Sequence, residues 1–136
     1  MRNQTYIFLG FLSFNLLCMM SLSFKMEVRI VNGLGYGERA NLHCFTRDRD
    51  MGYRVLADGE EFVRNFKVRD KDINMTMFSC DVQWGMGTWY HFDAYDDVTD
   101  RNRCVSECLW VVTNDWLYVY NQMRDIWEFW PYEPIM

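Results

Sequence analysis

The residues of this chain best suited to chemistry are five cysteines, Cys18, Cys44, Cys80, Cys104 and Cys108, and two histidines, His43 and His91. Thiols can bridge, bind metal or attack a substrate, and imidazoles can pass protons near neutral pH. Cys18 lies in the apolar, uncharged run from Ile7 to Met20, after Arg2 and before Ser21-Leu22-Ser23. The small first and third residues of that triplet suit signal peptidase, so residues 1–23 are expected to be a signal peptide cleaved after Ser23. Spanning a bilayer takes about 20 apolar residues, and this shorter run is interrupted by Asn15, so a membrane anchor is the weaker reading and no stable membrane insertion is expected after cleavage. Cleavage removes one positive charge and no negative one, taking the net charge from -5 to -6.

The mature chain, residues 24–136, then keeps Cys44, Cys80, Cys104 and Cys108, an even set suited to an oxidising compartment. Four cysteines allow three pairings. Bridges joining the early pair to the late pair are the expectation, because Cys104 and Cys108 would stand about 13 Å apart in an extended strand, although a local turn could close that gap. A zinc site drawing on His43, Cys44, Cys104 and Cys108 is the competing chemistry, but structural zinc usually uses shorter spacings such as C-x2-C. Asn74-Met75-Thr76 is an N-glycosylation sequon beside Lys71-Asp72, where a turn would expose it.

Catalysis finds little support. His43 and His91 could serve a secreted ribonuclease as acid and base, but the acidic balance and the lack of a basic cluster give phosphate nowhere to bind. The chain has no G-x-S-x-G elbow, P-loop or H-E-x-x-H. It is therefore read as a non-enzyme with no cofactor and no nucleic-acid partner. A defence or toxin-like protein acting on membranes is a further alternative, weakened because anionic lipid attracts basic proteins.

These side chains must be positioned by strands. Segments 28–31, 40–45, 53–57, 62–68, 75–82, 89–95, 109–113 and 117–120 are rich in β-branched or aromatic residues, and turn signals such as Gly33-Leu34-Gly35-Tyr36-Gly37 and Asp58-Gly59 separate them. Several alternate with period two, as in Ala40-Asn41-Leu42-His43-Cys44. The expectation is an all-β antiparallel sandwich of about eight short strands, or a closed barrel, with Trp84, Trp89, Trp110, Phe66, Phe78 and Phe92 filling its core. The stretch from Asp96 to Arg103 reads as too polar to be buried, and Asp96, Asp97, Asp100, Arg101 and Arg103 are its candidate partner-binding residues. The aromatic extension 121–136, with Ile126, Trp127, Phe129, Trp130 and Tyr132, has no partner strand in this scheme and is expected to cover an open end of the sandwich, with an aromatic patch for binding another molecule as the alternative.

The ordered set Val31-Asn32 with Leu34, Leu42-His43-Cys44, Asp50-Met51-Gly52, Leu56 with Gly59, Phe66, Phe78-Ser79-Cys80, Trp84, Phe92 with Tyr95, Cys104-x3-Cys108-x-Trp110, and Leu117-Tyr118 resembles the plant self-incompatibility S-protein homologue family. The resemblance covers essentially the whole mature chain. It implies a secreted β-sandwich with two disulfides among Cys44, Cys80, Cys104 and Cys108, no active site, and recognition through variable surface loops. It also implies a signalling ligand in plant reproduction or development, with a cell-surface receptor as partner. The chain departs from the family pattern at Asp115-Trp116, where members usually have Asp-Gly, so the turn is expected to centre on Asn114-Asp115.

Overall fold

The computed structural model describes residues 23–69 and 77–135; the expected signal peptide, apart from Ser23, and the Asn74 sequon lie outside them. Among these residues ten strands run in chain order: β1 (Ser23–Asn32), β2 (Ala40–Thr46), β3 (Asp50–Leu56), β4 (Glu61–Arg69), β5 (Met77–Trp84), β6 (Tyr90–Asp96), β7 (Glu107–Val112), β8 (Leu117–Asn121), β9 (Ile126–Trp130) and β10 (Glu133–Pro134). A single helical turn, α1 (Asp97–Asp100), follows β6. The strands form two five-stranded sheets, one ordered β4-β1-β7-β8-β9 and the other β10-β6-β5-β2-β3. The expected sandwich is present, with two differences. Strands β1 and β7 pair in parallel. The aromatic extension does find partners, Tyr118 opposite Phe129 in the first sheet and His91 opposite Glu133 in the second.

Alternation explains why the sheets close on one another. In β2 the burial runs Ala40, Leu42, Cys44 inward, and in β7 Cys108, Trp110, Val112 inward. Met26, Val28 and Ile30 of β1 and Leu117 and Val119 of β8 complete the first sheet's inner face. Trp110 packs on Phe92 with ring centroids 5.2 Å apart, and its Nε1 donates to the Ala94 carbonyl at 2.8 Å, tying one sheet to the other. Phe78 is buried as expected, Phe66 and Trp84 pack against the core from partly buried positions, and Trp89 instead meets Tyr53 edge-on. Thr113 and Trp116 close the β7–β8 turn around Asn114 and Asp115, and Trp116 has no positive φ.

The cysteine pairing corrects the expectation of bridges between the early and late pairs. Cys44 and Cys80 stand directly opposite each other in the β2–β5 ladder and are bridged, with Cα atoms 4.1 Å apart. Cys104 and Cys108 are bridged across a turn leading into β7, with Cα atoms 5.2 Å apart. The 13 Å separation assumed extended chain, and this segment bends.

The stretch Asp96 to Arg103 corrects a second expectation. Asp97, Asp100 and Arg103 are buried, not displayed to a partner. Asp96 accepts from the Val98 N–H as the N-cap of α1, and Asp100 accepts from the Asp96 N–H. Arg103 donates to Asp100 at 2.7 Å and to Glu128 of β9 at 3.0 Å, and its guanidinium lies 4.8 Å from the Trp130 ring centroid. Asp97 accepts from the Tyr95 hydroxyl and from Arg101. Polar groups enter the interior here because each meets a hydrogen-bonding or charged partner.

Burial pushes the Asp100 carboxyl up to about 6, although the Asp96 N–H and Arg103 pull it down. Burial lowers His91, but Asp81 and Asp93 outweigh it and raise the group overall. In both cases the folded chain holds the proton more tightly than the unfolded one. The contribution of each is therefore fully present below the ordinary pKa and lost as pH rises through the folded value. For Asp100 that window is about pH 4 to 6 and amounts to roughly 3 kcal/mol. Urea unfolding of the wild type between pH 4 and 7 should show this loss relative to Asp100→Asn, which keeps the shape but cannot ionise; parallel profiles would contradict it.

Candidate functional site

Four connections meet at one end of the sandwich: residues 33–39, 57–60, 85–89 and 113–116. Their anchor is Asn32, which is fully buried at the end of β1. Its Nδ2 donates to the carbonyls of Glu38 and Leu56, each at 2.9 Å, and its Oδ1 accepts from the Leu34 N–H at 2.9 Å. An amide is the one short side chain that can both donate twice and accept here, so Asn32 closes the 33–39 loop onto β3.

The tip of that loop is Gly35-Tyr36-Gly37, three consecutive residues with φ of 79°, 54° and 70°. Left-handed backbone is ordinary for glycine and costly for a bulky residue, so the surrounding contacts must hold Tyr36 there. Asp58 supplies them: its two carboxylate oxygens accept from the Gly35 N–H at 3.1 Å and the Gly37 N–H at 3.0 Å, on either side of Tyr36. Asn114 Nδ2 adds a bond to the Leu34 carbonyl at 3.2 Å. The Tyr36 ring is wholly exposed. The 85–89 loop lies alongside, with the Glu38 carboxylate 3.3 Å from the position a Gly85 Cβ would take, and its Met86 is wholly exposed as well. A tyrosine and a methionine thus project from a clamped backbone, an arrangement suited to anchoring a protein partner at little entropic cost.

The two histidines share the outer face of the other sheet. Asp81 sits between them in the ladder, opposite His43 on β2 and His91 on β6. His43 Nε2 lies 2.7 Å from Asp50, while His91 Nδ1 lies 2.7 Å from Asp81 and its Nε2 3.2 Å from Asp93. Asp50 is held below the usual carboxylate range by the Gly52 N–H and then by His43. A phosphodiester bridging the histidines would meet the Asp81 carboxylate, so this face does not favour ribonuclease chemistry. The zinc set fares similarly, since Cys44, Cys104 and Cys108 are consumed in bridges and His43 is committed to Asp50. A cleft of about 120 Å³, lined by His91, Asp100, Arg103, Trp110 and Trp130 among others, opens between the sheets near β10. It is smaller than the roughly 300 Å³ at which small-molecule sites begin.

The family model for plant self-incompatibility protein S1 matches residues 27–130. The chain belongs to that family. It is 35% identical over 104 residues to self-incompatibility protein S1 of Papaver rhoeas, covering 76% of this chain and 73% of the poppy protein. It is 38% identical over 90 residues to S-protein homolog 3 of Arabidopsis thaliana, spanning 63% of this chain and 57% of that one. A solved structure of a self-incompatibility protein homologue, from a family described as small, highly stable, secreted plant proteins, superposes with a TM-score of 0.53. That match covers 82% of this chain and 91% of the other at 19% identity, a likeness of fold. Within this family member, Asn32 and Leu34 belong to the pattern that carried the resemblance, whereas Tyr36 and Asp58 were visible in the sequence only as turn residues. The run of three glycines around Leu34 and Tyr36 was the signal for a special backbone.

Proposed function

We propose that this S1-family protein is a secreted extracellular ligand, not an enzyme, that binds a receptor protein at a plant cell surface during reproduction or development. The observation that carries the reading is Tyr36, wholly exposed yet fixed in left-handed backbone by Asp58 on both flanks. Stored strain of this kind clusters at functional sites, ligand clamps among them. Kinship with the poppy protein supports the biological setting, the apolar leader supports secretion, and Asn74 is the expected glycan site. Two buried disulfides let the end loops vary without unfolding the scaffold, which suits ligands that must be told apart.

The test is saturation binding of labelled protein, recovered from the medium of expressing plant cells, to intact cells of reproductive tissue. Tyr36→Ala combined with Met86→Ala should weaken binding at least tenfold, the loss of about 1.4 kcal/mol or more that anchor residues carry. Thermal unfolding should stay close to wild type, because neither side chain is packed. Undiminished binding by the double variant would sink the assignment of this end, and failure to recover the protein from the medium would sink secretion.

A further inference from the structure

A two-sheet sandwich has four edge strands, and each presents unpaired backbone groups that can template another chain. Here three of the four are blunted. Edge β4 carries Glu61, Arg64 and Lys67, β3 carries Asp50 and Arg54 and meets a register irregularity in β2, and β10 is two residues long and includes Pro134. Charge, irregularity, brevity and proline are the usual defences of a free edge.

Edge β9 carries one such device, the inward-pointing Glu128, and Arg103 neutralises it. Its sequence is Ile126-Trp127-Glu128-Phe129-Trp130, and the four apolar side chains are between 41% and 63% exposed. The lone charge, Glu128, points inward to Arg103 at 3.0 Å and Asn121 at 3.5 Å. Within this chain β9 bonds only β8, leaving its second backbone edge open among the described residues. The strand is also self-complementary. Laid antiparallel on itself about Glu128, it sets Trp127 opposite Phe129 and Ile126 opposite Trp130, pairings of the aromatic and β-branched kind that stabilise ladders. The two Glu128 carboxylates at the centre arrive with a built-in counter-charge from each copy's Arg103. Asp125 at φ 55° and Pro131 bound the strand on either side, which limits the contact to five residues and favours a closed pair over a growing fibre.

We propose that β9 pairs antiparallel with β9 of a second copy of this chain, joining two five-stranded sheets into one of ten. The inference does not rest on the receptor reading. Sedimentation equilibrium of the secreted protein from about 1 to 200 µM should show monomer giving way to a species of twice the mass, as mass action requires. Phe129→Lys places a charge on the open edge and should raise the dissociation constant at least tenfold, while Val55→Lys on the already charged β3 edge should leave it unchanged. Hydrogen exchange supplies a measurement that needs no variant: the β9 amides not bonded to β8 should gain protection with concentration. A wild type that stays monomeric throughout, an open ladder of larger species, dimers that leave the β9 amides unprotected, or dimerisation untouched by Phe129→Lys would each overturn the proposal.

Discussion

Replacing Arg103 with alanine is expected to cost about 3–5 kcal/mol of stability, the range found when one partner of a buried ion pair is removed. The guanidinium is buried between Asp100 and Glu128 and also caps the Trp130 ring. Its loss leaves the Asp100 carboxylate in the interior, where the Asp96 N–H still donates to it. Asp100 already titrates near 6 with Arg103 present, so removing the cation pushes it further up. Arg103→Met, which restores apolar volume, should recover little, because the stranded carboxylates are the dominant cost. Adding Asp100→Asn to Arg103→Met should recover more, since it removes the charge that the arginine offset. Equilibrium urea unfolding of the three variants measures these differences. A loss below about 1 kcal/mol for Arg103→Ala would show that water reaches the network and that the 96–103 segment is less integral than its burial indicates.

The two disulfides should contribute unequally. In the chain-entropy account, the bridge between Cys44 and Cys80, separated by 36 residues, restrains the unfolded chain by about 4 kcal/mol. The bridge between Cys104 and Cys108, separated by 4, does so by about 2 kcal/mol. Cys44→Ala with Cys80→Ala should therefore destabilise about twice as much as Cys104→Ala with Cys108→Ala. A loss near 4 kcal/mol is a large share of the 5–15 kcal/mol that holds a domain folded, and it corresponds to a fall in Tm of roughly 15 °C. Differential scanning calorimetry of the two double variants decides the order; equal losses, or a larger one for the short loop, would contradict the entropic account for this protein.

The strands and their faces were legible because alternation is local. Ala40, Leu42 and Cys44 face inward for the same reason that Asn41 and His43 do not, and no distant residue has to be known to see it. The end turns were legible too, from their glycines and aspartates. The cysteine pairing was not. Whether Cys44 faces Cys80 depends on the β2–β5 register, which hydrophobic alternation sets only to within two residues and a sequence separation of 36 leaves open. Strand β9 was missed because a segment rich in aromatics next to prolines gives no clear period-two signal, and its pairing is made by β8.

Residues 96–103 show the limit most sharply. A run holding Asp96, Asp97, Asp100, Arg101 and Arg103 reads as solvated by composition, and isolated charges are indeed too costly to bury. The partners that make burial tolerable are Tyr95 beside it and Glu128 and Trp130 more than twenty residues away, brought together by two sheets closing at that edge. Tyr36 is the converse case, a residue whose local sequence announced a turn while its strained φ came from Asp58 across the loop. By itself the sequence determined the class of fold and the positions of most strands, since periodicity and turn chemistry act over a few residues, while its ordered motifs carried the family resemblance. Tertiary structure alone decided which cysteines bridge, which charges are buried and which large side chains stay exposed, because those follow from long-range register and from the desolvation that packing imposes.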